Sequence, residues 1–243
     1  MSYFKKRTLS IMLSFLLIFT TSNAAFANTI SSNRSATVNG YTYTFSSETV
    51  LDTVTGDWTI AGKCNLIANT NVPIGYMGAQ ARLYTESGAL YLSSAMTYNR
   101  AAVAGNNVYT SVVDVQGSYY TKALCKFYNG DGYSSYDAFS SPVATLASAN
   151  SMTNPMLISE YQTNSQGKTY GSDLSSYTIG QSPELISAIG IDGTEGYVRA
   201  ADLDPAYTTI EDAINHDNTS YLIPLYDSEE NVIGSFLLET ILY

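Results

Sequence analysis

Val38-Asn39-Gly40-Tyr41-Thr42-Tyr43-Thr44-Phe45 is the stretch that decides the fold class. Asn-Gly tolerates the positive φ angles that a two-residue hairpin needs. The residues after it alternate, with Tyr41, Tyr43 and Phe45 on one face of a strand and Thr42 and Thr44 on the other. The same period of two recurs downstream, where Trp58, Ile60, Cys64, Leu66 and Ala68 share a face opposite Thr59, Lys63 and Asn65. Residues 79–85 and 90–97 read as strands on either side of Glu86-Ser87-Gly88. Residues 108–115 and 119–128 read as a second pair around Gln116-Gly117. Short strands punctuated by turn signals at roughly ten-residue spacing predict a sandwich or barrel. The expectation is a mainly β chain: an antiparallel β-sandwich followed by a small α+β module.

Composition supports that reading and narrows the function. The 243 residues include 21 Tyr but only 13% charged residues, where about 25% is usual. Abundant Tyr, Thr and Ser with few Lys and Glu favour strands over helices. The first 27 residues have the three parts of a secretory signal peptide. Lys5, Lys6 and Arg7 are followed by an apolar run through Phe19, and Ala25-Phe26-Ala27 offers small residues at the cleavage spacing. Cleavage is expected after Ala27, because the apolar run is shorter than the roughly 20 residues of a membrane span. The leader holds three of the 11 basic residues and none of the 21 acidic ones, which leaves a mature chain at −13. Such a surface repels phosphate backbones, so no nucleic-acid partner is expected. No stable membrane insertion is expected after cleavage either, since no second long apolar run follows.

The organisation read from the sequence is a signal peptide over 1–27, a β-sandwich over 28–143, a linker over 144–168 and the α+β module over 169–243. The linker is rich in Ser, Ala, Asn and Thr and carries Pro155 without a sustained period. Helix signals then appear. Ser182-Pro183-Glu184-Leu185 predicts a helix ending at Gly190, and Thr208-Thr209-Ile210-Glu211 predicts another running to about His216. Two closing strands are expected at 221–225 and 232–238.

In this second region, the series from Pro183 to Gly190 is followed by Gly196-Tyr197-Val198-Arg199-Ala200-Ala201-Asp202-Leu203. Ile223-Pro224-Leu225-Tyr226-Asp227 and Val232-Ile233-Gly234-Ser235-Phe236 come after it. That ordered series resembles a C-terminal module of uncharacterised exported proteins of Gram-positive bacteria, Bacillus and Clostridium relatives among them. Asn129-Gly130-Asp131-Gly132-Tyr133 with Ser141-Pro142 is similar to a motif in secreted β-rich proteins of the same bacteria. The resemblance implies a cell-envelope or extracellular setting and brings no known activity.

The chemistry-bearing residues are few. His216 is the one histidine, placed at a helix end where it suits exposed carbonyls, and no partnered nucleophile accompanies it. One His and two distant Cys make no metal cluster, so no metal site and no cofactor are expected. Cys64 and Cys125 both point into the presumed core by strand parity, and export favours a disulfide between them. The alternative is two buried thiols acting as small apolar residues. Asp114, Asp131 and Asp137, or Asp192, Glu195, Asp202 and Asp204, are carboxylates from which a glycosidase-type pair could be drawn, although nothing in the sequence fixes their separation. Asn129-Gly130-Asp131-Gly132 reads as a turn. Tyr119, Tyr120, Tyr128, Tyr133 and Tyr136 gather near Lys122 and Lys126 and are the candidate ligand-binding residues. Tyr offers broad, rigid contact with a hydrogen-bonding tip, and cross-strand pairing is the other use of such residues. No catalytic residue is assigned. The expected role is non-enzymatic binding or structure at or outside the envelope, with a cell-wall polysaccharide or another surface protein as partner. A carboxylate-dependent extracellular hydrolase and an exported effector, bacteriocin-like or inhibitory, are the alternatives.

Overall fold

A computed structural model describes residues 28–54, 57–146, 157–215 and 220–239. The leader, its cleavage point and His216 lie outside the described residues. The described chain opens on β1 (Thr29–Ile30), β2 (Arg34–Val38), the long β3 (Tyr41–Val54) and β4 (Asp57–Val72), β5 (Met77–Thr85) and β6 (Leu90–Ser94). Short ones follow, β7 (Thr97–Tyr98), β8 (Val103–Gly105) and β9 (Val108–Tyr109). Then come the central β10 (Gly117–Tyr128), β11 (Tyr133–Asp137) and β12 (Ala144–Leu146). The later part holds β13 (Gln162–Thr163), β14 (Thr169–Gly171), a 3-10 turn (Asp173–Ser175) running into α1 (Ser176–Ile179), β15 (Leu185–Ile189) and β16 (Glu195–Arg199). Two short helices, α2 (Ala200–Leu203) and α3 (Ile210–Asn215), precede β17 (Tyr221–Tyr226) and β18 (Val232–Glu239). The fold is mainly β, as the alternation of Thr and Tyr demands.

The Asn39-Gly40 hairpin forms as read: both residues have positive φ (49° and 82°) and Val38 pairs with Tyr41. β3 then carries β1 and β2 on one side and the long β4 on the other, and β8 and β9 extend that sheet. This layer lies over β5 and β10 of a second sheet to form the sandwich. Tyr43, Phe45, Cys64 and Leu66 from the first sheet meet Met77, Ala79, Ala81, Ala123, Cys125 and Phe127 from the second. Tyr43 stacks on Phe127 with ring centroids 3.8 Å apart. Period-two alternation puts every one of these apolar residues on the inner face.

The second sheet does not stop at the sandwich. It runs β11-β10-β5-β6-β18-β17-β16-β15-β14-β13, with β12 on β10 and β7 on β5. β6 pairs in parallel with β18 and also with β15 (Leu90 opposite Ala188), so β6, β18, β17, β16 and β15 close into a ring. Leu90, Ile186, Val198, Leu225, Phe236 and Leu238 fill it. The ring is therefore completed by a strand from the first region. The segment expected as a linker begins as β12 against β10 and contains β13 near its end.

Two local expectations are corrected. Residues 185–189 are the strand β15, not a helix after Ser182-Pro183. Leu185-Ile186-Ser187-Ala188-Ile189 is too short a run before Gly190 to separate the two periods, and length and β-branching decide for strand. The 108–115 segment does not pair with 119–128. β9 joins β4 and Val113 bridges Ile60, because both edges of β10 are taken by β5, β11 and β12. The other helix does appear as α3, its first turn capped by Thr209 Oγ1, which accepts from Asp212 N–H at 3.1 Å.

Candidate functional site

Strand β10 decides where most of the expected site residues go. It is central and covered on both faces, so Tyr119 and Tyr120 are each only 4% exposed, on opposite sides. Tyr119 packs with Ile60 and Leu83 and donates its hydroxyl to the Val115 carbonyl at 3.0 Å, while Tyr120 packs with Tyr84 and Ile186. Neither offers a face to a ligand, which corrects the reading of a tyrosine-rich outer surface on this strand. Tyr136 lies at the sandwich rim, 5.4 Å from Phe127 and 6.3 Å from Phe45 between ring centroids.

Tyr128 and Tyr133 have a different setting. They belong to a continuous aromatic ribbon, Tyr41–Tyr76–Tyr128–Tyr133–Tyr98–Tyr207, with successive centroids 5.8, 5.1, 5.6, 4.9 and 5.9 Å apart. The tilted and edge-on angles are those that aromatic quadrupoles favour. Tyr41, Tyr76, Tyr128 and Tyr133 are half-buried, whereas Tyr98 is only 3% exposed. Hydrogen bonds fix two of them: the Tyr133 hydroxyl donates to Gly75 O at 2.7 Å and that of Tyr128 to Gly130 O at 3.0 Å. Gly78 lies under Tyr98, where a Cβ would come within 2.7 Å of the ring. The Asn129–Gly132 segment forms the expected turn, with Asp131 N–H donating to Asn129 Oδ1 and both glycines at positive φ.

The outer face of β5 and β10 holds the second feature, which sequence reading missed. Parity places Gln80, Arg82, Lys122 and Lys126 there, opposite the sandwich core, and all four are buried by the later part of the chain. Lys122 Nζ lies 2.7 Å from Asp173 Oδ2, 2.7 Å from Ser176 Oγ and 3.3 Å from Asp137 Oδ2. Arg82 stands 3.7 Å from the same Asp173 oxygen, and Tyr84 donates its hydroxyl to it at 3.1 Å. Lys126 Nζ meets Asp204 Oδ1 at 2.5 Å and the Pro205 carbonyl at 2.9 Å. Gln80 Nε2 donates to Leu203 O, so this polar layer bolts the ring to the sandwich. Burial alone would raise the Asp173 carboxyl, but Lys122 and Arg82 outweigh it and hold it at about 2. Burial, then the Asp173 charge, pushes the Tyr84 hydroxyl well up.

A solvent-open cleft of about 210 Å³ borders this layer, lined by Arg82, Leu124, Ser135, Asp137, Ser182, Ile186, Ala200 and Asp204. Two of the carboxylates singled out in the sequence, Asp137 and Asp204, thus share one cleft. Each is engaged by a buried lysine. Asp192 instead caps its own turn through Thr194 N–H. Among the described residues no three His, Cys, Asp or Glu side chains converge to hold a metal ion.

Cys64 and Cys125 face each other across the sandwich core, fully buried, but as free thiols with sulfurs 3.6 Å apart. A bond would need about 2.05 Å, so the expected disulfide is replaced by two thiols in contact that fill space as small apolar side chains. Burial, then Cys64, pushes the Cys125 thiol well up, which removes its reactive thiolate form. The folded protein is expected to take up no alkylating reagent, and the protein unfolded without reductant to take up two labels. One label or none after unfolding would refute free thiols. The chain matches no protein-family model, no curated protein and no solved structure.

Proposed function

We propose that the chain is a secreted, non-enzymatic binding protein that acts at or outside a bacterial cell envelope, with the tyrosine ribbon as its ligand surface. The leader-like first 27 residues support export. The resemblance of the 183–236 series to exported proteins of Gram-positive bacteria supports the setting. The single observation that carries the binding role is the ribbon itself: Tyr41, Tyr76, Tyr128 and Tyr133, all half-buried, in successive ring contact, two of them pinned by hydrogen bonds. Such a surface suits a chain of sugar rings, whose apolar faces lie on aromatic rings while hydroxyls meet polar tips. No helix among the described residues is long and apolar enough to cross a membrane.

The hydrolase reading draws less support. Asp137 and Asp204 share a cleft, but both are held by lysines, and the rest of the lining is Arg82 with aliphatic and small polar side chains rather than rings. It is also smaller than the roughly 300–1,000 Å³ of ordinary ligand pockets.

Sedimentation with purified cell-wall polysaccharide tests the binding role. The wild-type chain is expected to co-sediment, and the double variant Tyr76→Ala/Tyr128→Ala to bind at least about tenfold more weakly, as loss of two aromatic contacts near 1 kcal/mol each implies. The melting temperature of the variant reports whether the fold survives. A wild-type chain that is folded yet retained by neither polysaccharide nor whole cells would remove the proposal.

A further inference from the structure

Lys122 and Asp173 form a charged pair sealed from water, with side chains 4% and 0% exposed and the ammonium nitrogen 2.7 Å from a carboxyl oxygen. The neighbouring Lys126–Asp204 pair is wetter, since its carboxylate is 25% exposed. A third group touches the same nitrogen: Asp137 Oδ2, at 3.3 Å, on a side chain 36% exposed at the cleft. An amine, a carboxyl group and a solvent-linked proton carrier are thus held together by three different strands and turns. We propose that Lys122 and Asp173 condense into an intramolecular amide between Nζ and Cγ, with Asp137 as the catalytic proton carrier.

The chemistry balances without any co-reactant. The ammonium gives one proton to the Asp173 oxygen it meets at 2.7 Å, which makes the carboxyl group neutral, and the freed lone pair attacks Cγ. Asp137 takes a second proton from the nitrogen as the N–C bond forms and passes it to that carboxyl oxygen. The oxygen then carries both protons and departs as water when its bond to Cγ breaks. Asp137 returns to its starting state, and the pair, neutral in sum before the step, is neutral after it. Water has an exit, because Asp137 lines the open cleft. Reaction within such a pair needs the joining atoms held about 3–3.5 Å apart, and the contact to Oδ2 keeps Nζ against the carboxyl group.

The surroundings suit the step. Arg82 and the Tyr84 hydroxyl both reach Asp173 Oδ2. There they stabilise the carboxylate at rest, and the same donors face the charge that develops on oxygen during attack. Ser176 Oγ and the Asp173 carbonyl also approach Nζ, so the lysine has no rotational freedom to lose. Desolvation weakens the advantage of the ion pair over its uncharged product. The bond would tie β10 of the sandwich to the turn after β14, joining positions 51 apart in the chain. The proposal does not depend on the ribbon's ligand.

Tryptic mapping of the folded, full-length product tests it. An amidated Lys122 resists trypsin, so residues 101–126 are expected to emerge joined to residues 169–199, lighter than the two peptides together by one water. Lys122→Arg keeps the charge and is expected to abolish the branch. Asp137→Asn is expected to leave most of the chain unbranched. Folding is verified on each sample by protection of Cys64 and Cys125 from thiol reagent. Recovery of linear 101–122 and 169–199 in full yield from folded wild-type protein would overturn the proposal. So would a water loss confined to a linear peptide, as a succinimide at Asp131-Gly132 or Asp192-Gly193 would give. Full branching in Asp137→Asn would overturn the role of Asp137.

Discussion

Asp173→Ala is expected to lower folding stability by about 3–5 kcal/mol, the range for breaking a buried ion pair from one side. Asp173 is wholly buried and serves Lys122, Arg82 and the Tyr84 hydroxyl through one oxygen. Its removal leaves two cations on the outer face of β5 and β10 without their shared counter-charge. Only 4–5% of either side chain is exposed, so the cleft edge and Asp137 solvate them poorly. That range is for the ion pair; an amide would add the loss of a cross-link between positions 51 apart, which the double variant below would not recover. Urea unfolding of the variant beside wild type measures it. Lys122→Met/Asp173→Ala removes one stranded charge as well and is expected to recover much of the loss. A single variant within about 1 kcal/mol of wild type, the ordinary range of exposed ion pairs, would show that the layer is wet and that its burial has been misjudged.

Gly196→Ala is expected to cost about 3 kcal/mol, at the upper end of ordinary overpacking. A Cβ at this position would lie 2.6 Å from the Tyr226 carbonyl oxygen, 2.9 Å from Ile233 Cδ1 and 3.0 Å from Leu225 Cγ. The first of these is backbone and cannot swing aside. The next residue, Tyr197, pairs with Tyr226 where β16 joins β17, so the methyl group would pry open the ring at a seam of one register pair. Gly105→Ala is the matched control: its nearest neighbour, Leu66 O, would be 3.6 Å away. It is expected to change stability by less than about 1 kcal/mol. Equal midpoints for the two variants in denaturant would show that β17 yields freely.

The sandwich was legible in the sequence because its signals are local. Asn39-Gly40 specifies a turn by backbone conformation, and Tyr43, Phe45, Cys64 and Leu66 announce a buried face through a period of two. Thr209 announced α3 in the same local way. The ring was not legible, because β6 looks like any strand until its parallel partners are known, and those arise far along the chain. Lys122 and Lys126 misled for a related reason. Charged residues are rarely buried unless paired, and the partners Asp173 and Asp204 lie in the other region. Among the candidate tyrosines, proximity in sequence grouped Tyr119 and Tyr120 with Tyr128 and Tyr133. The pleat sent the first two into separate cores, and Tyr41, Tyr76, Tyr98 and Tyr207 joined the latter pair from distant segments.

Strand β6 leaves the ribosome early and is satisfied late. Its partners at Ala188 and Leu238 are synthesised long after Leu90 and Ser93, the second of them among the last residues described. Contacts of such high order are slow to form, since loop-closure entropy must be met before they reward the chain. A growing polypeptide can shape the Asn39-Gly40 hairpin at once, but it cannot seal Leu90 until β18 has emerged. Synthesis therefore leaves the ring open until β18 has been made, and a premature stop before β18 yields a product whose ring cannot close.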